Sequence, residues 1–100
     1  MATVNRKTVS VSKRIAAAAV CIVDLERQGF YLTSMTMSHD QVCLILGDSP
    51  RLYSLKGDPV KIIGGPAGMF QLMEKRIGIV HVQWLLPYTH QAPLQLARVH

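Results

Sequence analysis

Acidic residues are scarce in this chain. Six Asp and Glu stand against eleven Lys and Arg in 100 residues, and charged residues of both signs make up only 17%. General acid–base catalysis needs positioned groups that act together, and the six acids (Asp24, Glu26, Asp40, Asp48, Asp58, Glu74) form no pair. Asp24 and Glu26 are two apart on a predicted helix, so they point to different sides. His39 and Asp40 fall within Ser38-His39-Asp40-Gln41, which reads as turn polarity. His81 stands alone on a predicted strand. Either histidine would need an enclosing pocket and a carboxylate in hydrogen-bond reach before it could serve as a base.

Cysteine is equally sparse. Cys21 and Cys43 are too few for a disulfide framework. Each lies in an apolar run, where a free thiol behaves as a small hydrophobe, so both are expected reduced and in the core. No cysteine or histidine stands at ligand spacing from another, and His39, His81, His90 and His100 are too dispersed to resemble a zinc site. The glycine-rich Gly64-Gly65-Pro66-Ala67-Gly68 lacks the Gly-Lys-Ser/Thr ending of a phosphate loop, and Pro66 removes an amide that a phosphate would need. The sequence therefore predicts no catalytic residues, no metal and no cofactor.

Long hydrophobic runs are missing too. The longest candidate, Ile15–Val23, is nine residues, whereas a membrane span takes about 20. Basic residues before it give a superficial likeness to a signal peptide. Asp24, Glu26 and Arg27 follow directly, with no small-residue cleavage site, and Val20 stands where a lipoprotein box wants a small side chain. The segment reads as a helix of a folded domain, and the chain as cytoplasmic with no membrane contact. No internal repeat or linker divides it, so one domain is expected.

What is present is apolar surface. Hydrophobic residues reach 49%, near the top of the usual range, and so little charge leaves a domain of this size short of polar covering. That points to an oligomer or a partner, because large uncovered apolar patches are rare on monomers.

Ser12 suits an N-cap, which places a helix over Lys13–Gln28 stopped by Gly29 at the left-handed position. Ile15, Ala18, Ala19, Ile22 and Leu25 share one face at helical spacing. Ala16, Val20 and Val23 make a second apolar face beside it. A surface helix needs a stripe of only roughly 100°. The first face is expected on a sheet and the second on an oligomer or partner interface.

Phe30–Met37 alternates and reads as a strand, and Val42–Leu46, continuously apolar, as a central one. Arg51–Leu55 is ambiguous. Val60–Ile63 reads as a strand, Gly64–Gly68 as a loop and Met69–Arg76 as a strand in preference to a helix started by Pro66. Ile79–Leu86 puts Val80, Val82, Trp84 and Leu86 on one face. The resulting fold class is α+β: an antiparallel sheet of four or five strands with one N-terminal helix packed on one face. Leu32, Leu44, Val82 and Trp84 are expected inside. Residues 1–12 form a basic N-terminal arm, 13–87 the domain and 88–100 a flexible C-terminal tail.

The net charge is +5 and the pI about 9.6. Arg6, Lys7, Lys13 and Arg14 supply four of the eleven cations within the first 14 residues, with no acid among them. Cations at a helix start are not there for helix stability. A phosphate-contacting, nucleic-acid-binding arm is therefore one functional reading, although no helix-turn-helix or RNA-recognition signature accompanies it.

Leu25-Glu26-Arg27-Gln28-Gly29-Phe30 running into a two-strand hairpin, closed later by His81-Val82-Gln83-Trp84, resembles the layout of short accessory proteins of bacteriophages, prophages and phage satellites. The resemblance implies a bacterial host and a stoichiometric role: binding and blocking a host defence factor, a repressor or a component of transcription. It supplies no catalytic motif. The leading expectation is thus a small non-enzymatic regulatory or inhibitory protein, homodimeric, that binds a protein target. A nucleic-acid-binding regulator is the alternative.

Overall fold

The computed structural model describes residues 9–88. The order of elements is α1 (Val11–Arg27), β1 (Leu32–Met37), β2 (Val42–Leu46), a short 3-10 turn η1 (Pro50–Ser54), β3 (Asp58–Gly65), β4 (Gly68–Ile77) and β5 (Val80–Pro87). The strands form one sheet in the order β1-β2-β5-β4-β3. The expected α+β architecture, with one helix and five strands, is present.

Helix α1 starts two residues earlier than its sequence suggests. Ser10, not Ser12, is the cap, and its hydroxyl accepts from the Lys13 N–H at 3.3 Å. The other end matches the prediction. Gly29 has φ +94°, its N–H donates to the Glu26 carbonyl, and the Phe30 N–H donates to the Leu25 carbonyl at 3.0 Å. This is the paired closure of a helix ending in a left-handed glycine. Phe30 then folds back as a buried plug beside Leu25 rather than opening the strand, so β1 begins at Leu32.

The helix is also rotated from the expected setting. Its packed side is Ala17, Ala18, Cys21, Ile22 and Leu25, with Arg14 half-buried above them. Ile15 and Ala19, placed on the packing face by the sequence, are exposed. The small side chains of Ala17, Ala18 and Cys21 let the helix axis come close to the sheet. The guanidinium of Arg14 turns the same way, donating through Nε to the Val9 carbonyl at 3.0 Å and through a second nitrogen to the Ser38 carbonyl.

Val42, Leu44 and Leu46 of β2 and Val80, Val82 and Trp84 of β5 face α1 and are buried. The sheet departs from the antiparallel expectation in this one pairing: β2 and β5 run parallel, Val42 beside Val80 and Leu44 beside Val82. The other three pairings are antiparallel. After β2 the chain passes through η1, anchored by buried Leu52, to the far edge, and β3, β4 and β5 return as a meander. The two strands with the most apolar side chains are thereby brought side by side under the helix. Hydrophobic burial outweighs the slight preference for antiparallel pairing.

The stretch expected as a glycine loop is mostly strand. Gly64 and Gly65 belong to β3, Gly68 to β4, and only Pro66 and Ala67 turn. Cys21 is in the core as expected, but Cys43 is half-buried on the other face of the sheet. Of the predicted arm and tail, residues 1–8 and 89–100 lie outside the described residues.

Candidate interaction surface

Three places collect side chains with no structural partner or with chemical potential. The first is the outer flank of α1. Successive residues turn by about 100° in a helix, so Ile15, Ala16, Ala19, Val20 and Val23 lie together on the side turned away from the sheet. Val20 is 70% exposed, Ile15 52% and Val23 47%. The flank ends in a shallow groove of about 510 Å³ formed with Ile77, the last residue of β4, and rimmed by Asp24 and Arg27. Ala16, Val20 and Val23, the predicted interface residues, are all exposed here. Ile15, Ala19 and Ile77 extend the surface and were not foreseen. The spacing of Ile15 and Ala19 suits either face, so only the packing of α1 puts them on this side, and Ile77 reaches it only through tertiary structure.

The second place is the sheet face away from the helix. Glu74 is its centre, accepting from Gln83 Nε2 at 2.8 Å and from Arg76 Nε at 3.4 Å, with His81 Nδ1 at 3.5 Å from Oε1. Chiefly the Gln83 amide holds its carboxyl below the ordinary value; burial opposes this, and His81 and Arg76 add smaller lowering contributions. Cys43 stands beside His81 in the parallel pair. A histidine between a carboxylate and a thiol invites a nucleophilic reading, but burial and the negative charge of Glu74 push the Cys43 thiol up. A nucleophilic cysteine needs the opposite shift. The group also lies on a sheet face rather than in an enclosing pocket, and it reads as a polar strap across β4 and β5. Among the described residues no cluster of three or more His, Cys, Asp or Glu could hold a metal ion.

The third place is a notch of about 360 Å³ where β2 ends and β5 runs on, walled by Ile45, Leu52, Phe70, Leu72 and Trp84. The indole N–H of Trp84, fully buried, has no hydrogen-bond partner among the described residues. Its ring is boxed by Gly57, where a Cβ would stand 2.5 Å from Cη2.

The predicted nucleic-acid contacts are not gathered into one patch by the described structure. Lys13 is exposed at the helix start, Arg14 is tied to two backbone carbonyls, and Arg6 and Lys7 lie outside the described residues. Arg14 thus has a structural use that explains a cation at an otherwise unfavourable helix end. No helix among the described residues is long and apolar enough to cross a membrane. No protein-family model, curated protein or solved structure matches this chain.

Proposed function

We propose that the chain is a non-catalytic binding domain that engages a protein target through the outer flank of α1. The observation that carries the reading is the exposure of Ile15, Val20 and Val23 in one contiguous stripe with Ala16 and Ala19. Solvated stripes of this kind mark interaction sites on small soluble domains. The alanines let a partner backbone approach closely, the larger residues supply apolar area, and Asp24 and Arg27 at the groove rim can set orientation. A groove between helix and strand end suits an apolar anchor side chain from the partner. The likeness to phage accessory proteins directs the search to host regulatory or defence proteins, which such a domain would bind and block.

The test is affinity capture from bacterial lysate with and without nuclease, comparing the native chain with the double variant Val20→Lys/Val23→Lys. Both positions are solvated, so circular dichroism should show an unchanged fold. The expected result is one stoichiometric protein retained by the native chain, lost by the variant and indifferent to nuclease. Retention that survives the double substitution overturns the helix-flank reading. Retention abolished by nuclease and by Lys13→Ala transfers the role to the nucleic-acid alternative.

A further inference from the structure

Strand β3 is an edge strand whose eight residues, Asp58–Gly65, are all exposed. Val60, Ile62 and Ile63, with Met69 across the hairpin, form an apolar ribbon exposed on both faces. The direction of its free backbone groups follows from one hydrogen bond. The Tyr88 N–H donates to the Met69 carbonyl at 2.9 Å, so residue 69 directs its backbone groups to the β5 side. By the alternation of antiparallel ladders, Gln71 does the same. Their partners across the β3–β4 pair are Gly64 and Ile62, so Gly64 and Ile62 turn their N–H and C=O outward, away from the sheet. An outward row of this kind is a template for another strand.

We propose that the strand it takes is β3 of a second copy, paired antiparallel about a two-fold axis at Ile62. In this register Ile62 faces Ile62 of the other copy and exchanges both backbone hydrogen bonds with it. Lys61 lies across from Ile63, so its aliphatic stem covers an apolar side chain and no like charges meet. Shifting the axis to Lys61 would set lysine against lysine. Shifting it to Ile63 would shorten the overlap, because the turn at Pro66 arrives sooner. Pro59, which lacks an N–H, and the bulge between Pro59 and Lys61 limit pairing at one end and favour a closed pair over an open filament. The two sheets join into one of ten strands with both helices on the same side, and both α1 flanks remain free for the target. The inference is independent of the helix-flank reading and uses different residues.

Sedimentation velocity over a range of concentrations tests it, with the native chain beside Ile62→Lys and Val20→Lys. The native chain and Val20→Lys should sediment at twice 11.1 kDa, and Ile62→Lys as one copy. Hydrogen exchange on the native chain needs no substitution and covers the case in which Ile62→Lys does not fold. The Ile62 and Gly64 amides should become protected as concentration rises, while the β1 edge stays unchanged. A native chain that is monomeric throughout overturns the proposal. So does a dimer that persists in folded Ile62→Lys or dissolves in Val20→Lys, and so does exchange at Ile62 that ignores concentration.

Discussion

The half of the sheet under α1 and the half beyond it are built from equally apolar residues put to opposite use. In β2 and β5, alternate side chains are sealed by the helix, and Val42, Leu44, Val80 and Trp84 are wholly buried. In β3 no described residue seals any side chain, although Val60, Ile62 and Ile63 are as hydrophobic as their counterparts. One helix of 17 residues covers about two strands, because helix diameter is roughly twice the strand spacing. The lesson is that apolar content predicts burial only as far as there is a covering layer. The remainder becomes interface.

Single substitutions break this contrast most directly. Trp84→Ala should cost about 3–5 kcal/mol, since it empties a fully buried site, whereas Ile62→Ala in dilute protein should stay within about 0.5 kcal/mol. Urea denaturation of both variants measures the gap, and similar losses would mean that β3 is covered by something in the monomer. Gly57→Ala probes the joint between the halves. Its Cβ would meet Trp84 and also the Glu74 carbonyl at 2.8 Å, and neither yields easily, so a loss of about 1–3 kcal/mol is expected from overpacking. A lowered melting temperature with an unchanged fold would report it.

The smallest effect concerns the polar strap. The Glu74 carboxyl is held below its ordinary value of 4.5, so the charged form is favoured by folding. Its contribution is whole above that value and is lost as pH falls through the lower folded value. Between those limits the native chain should lose stability that Glu74→Gln does not lose. Parallel pH profiles of the two would show that Glu74 is not linked to folding.

Local chemistry made much of the fold legible. The Gly29 closure, the polar turn at Ser38–Gln41 and the alternation in Ile79–Leu86 each rest on residues within a few positions of one another, and each appears in the structure. So does the exposure of Ala16, Val20 and Val23, since any packing of one helix face leaves another outside. The setting of α1 was not legible. Ser10 and Ser12 are both acceptable caps, and choosing between packing faces about 60° apart required the Val9 and Ser38 carbonyls that hold Arg14. The candidate surface was half legible for the same reason. Its helix residues share a segment, but Ile77 joins them from the end of β4.

By itself the sequence determined helix α1, most of the strands and the surplus of apolar surface, because these depend on periodicity, caps and composition. The tertiary structure alone decided that β2 and β5 lie parallel, that His81 stands between Glu74 and Cys43, and that β3 lies at an edge with no neighbouring strand among the described residues. Strand order follows from which apolar faces a single helix can cover together, and that is a property of the packed whole that no segment of the chain carries.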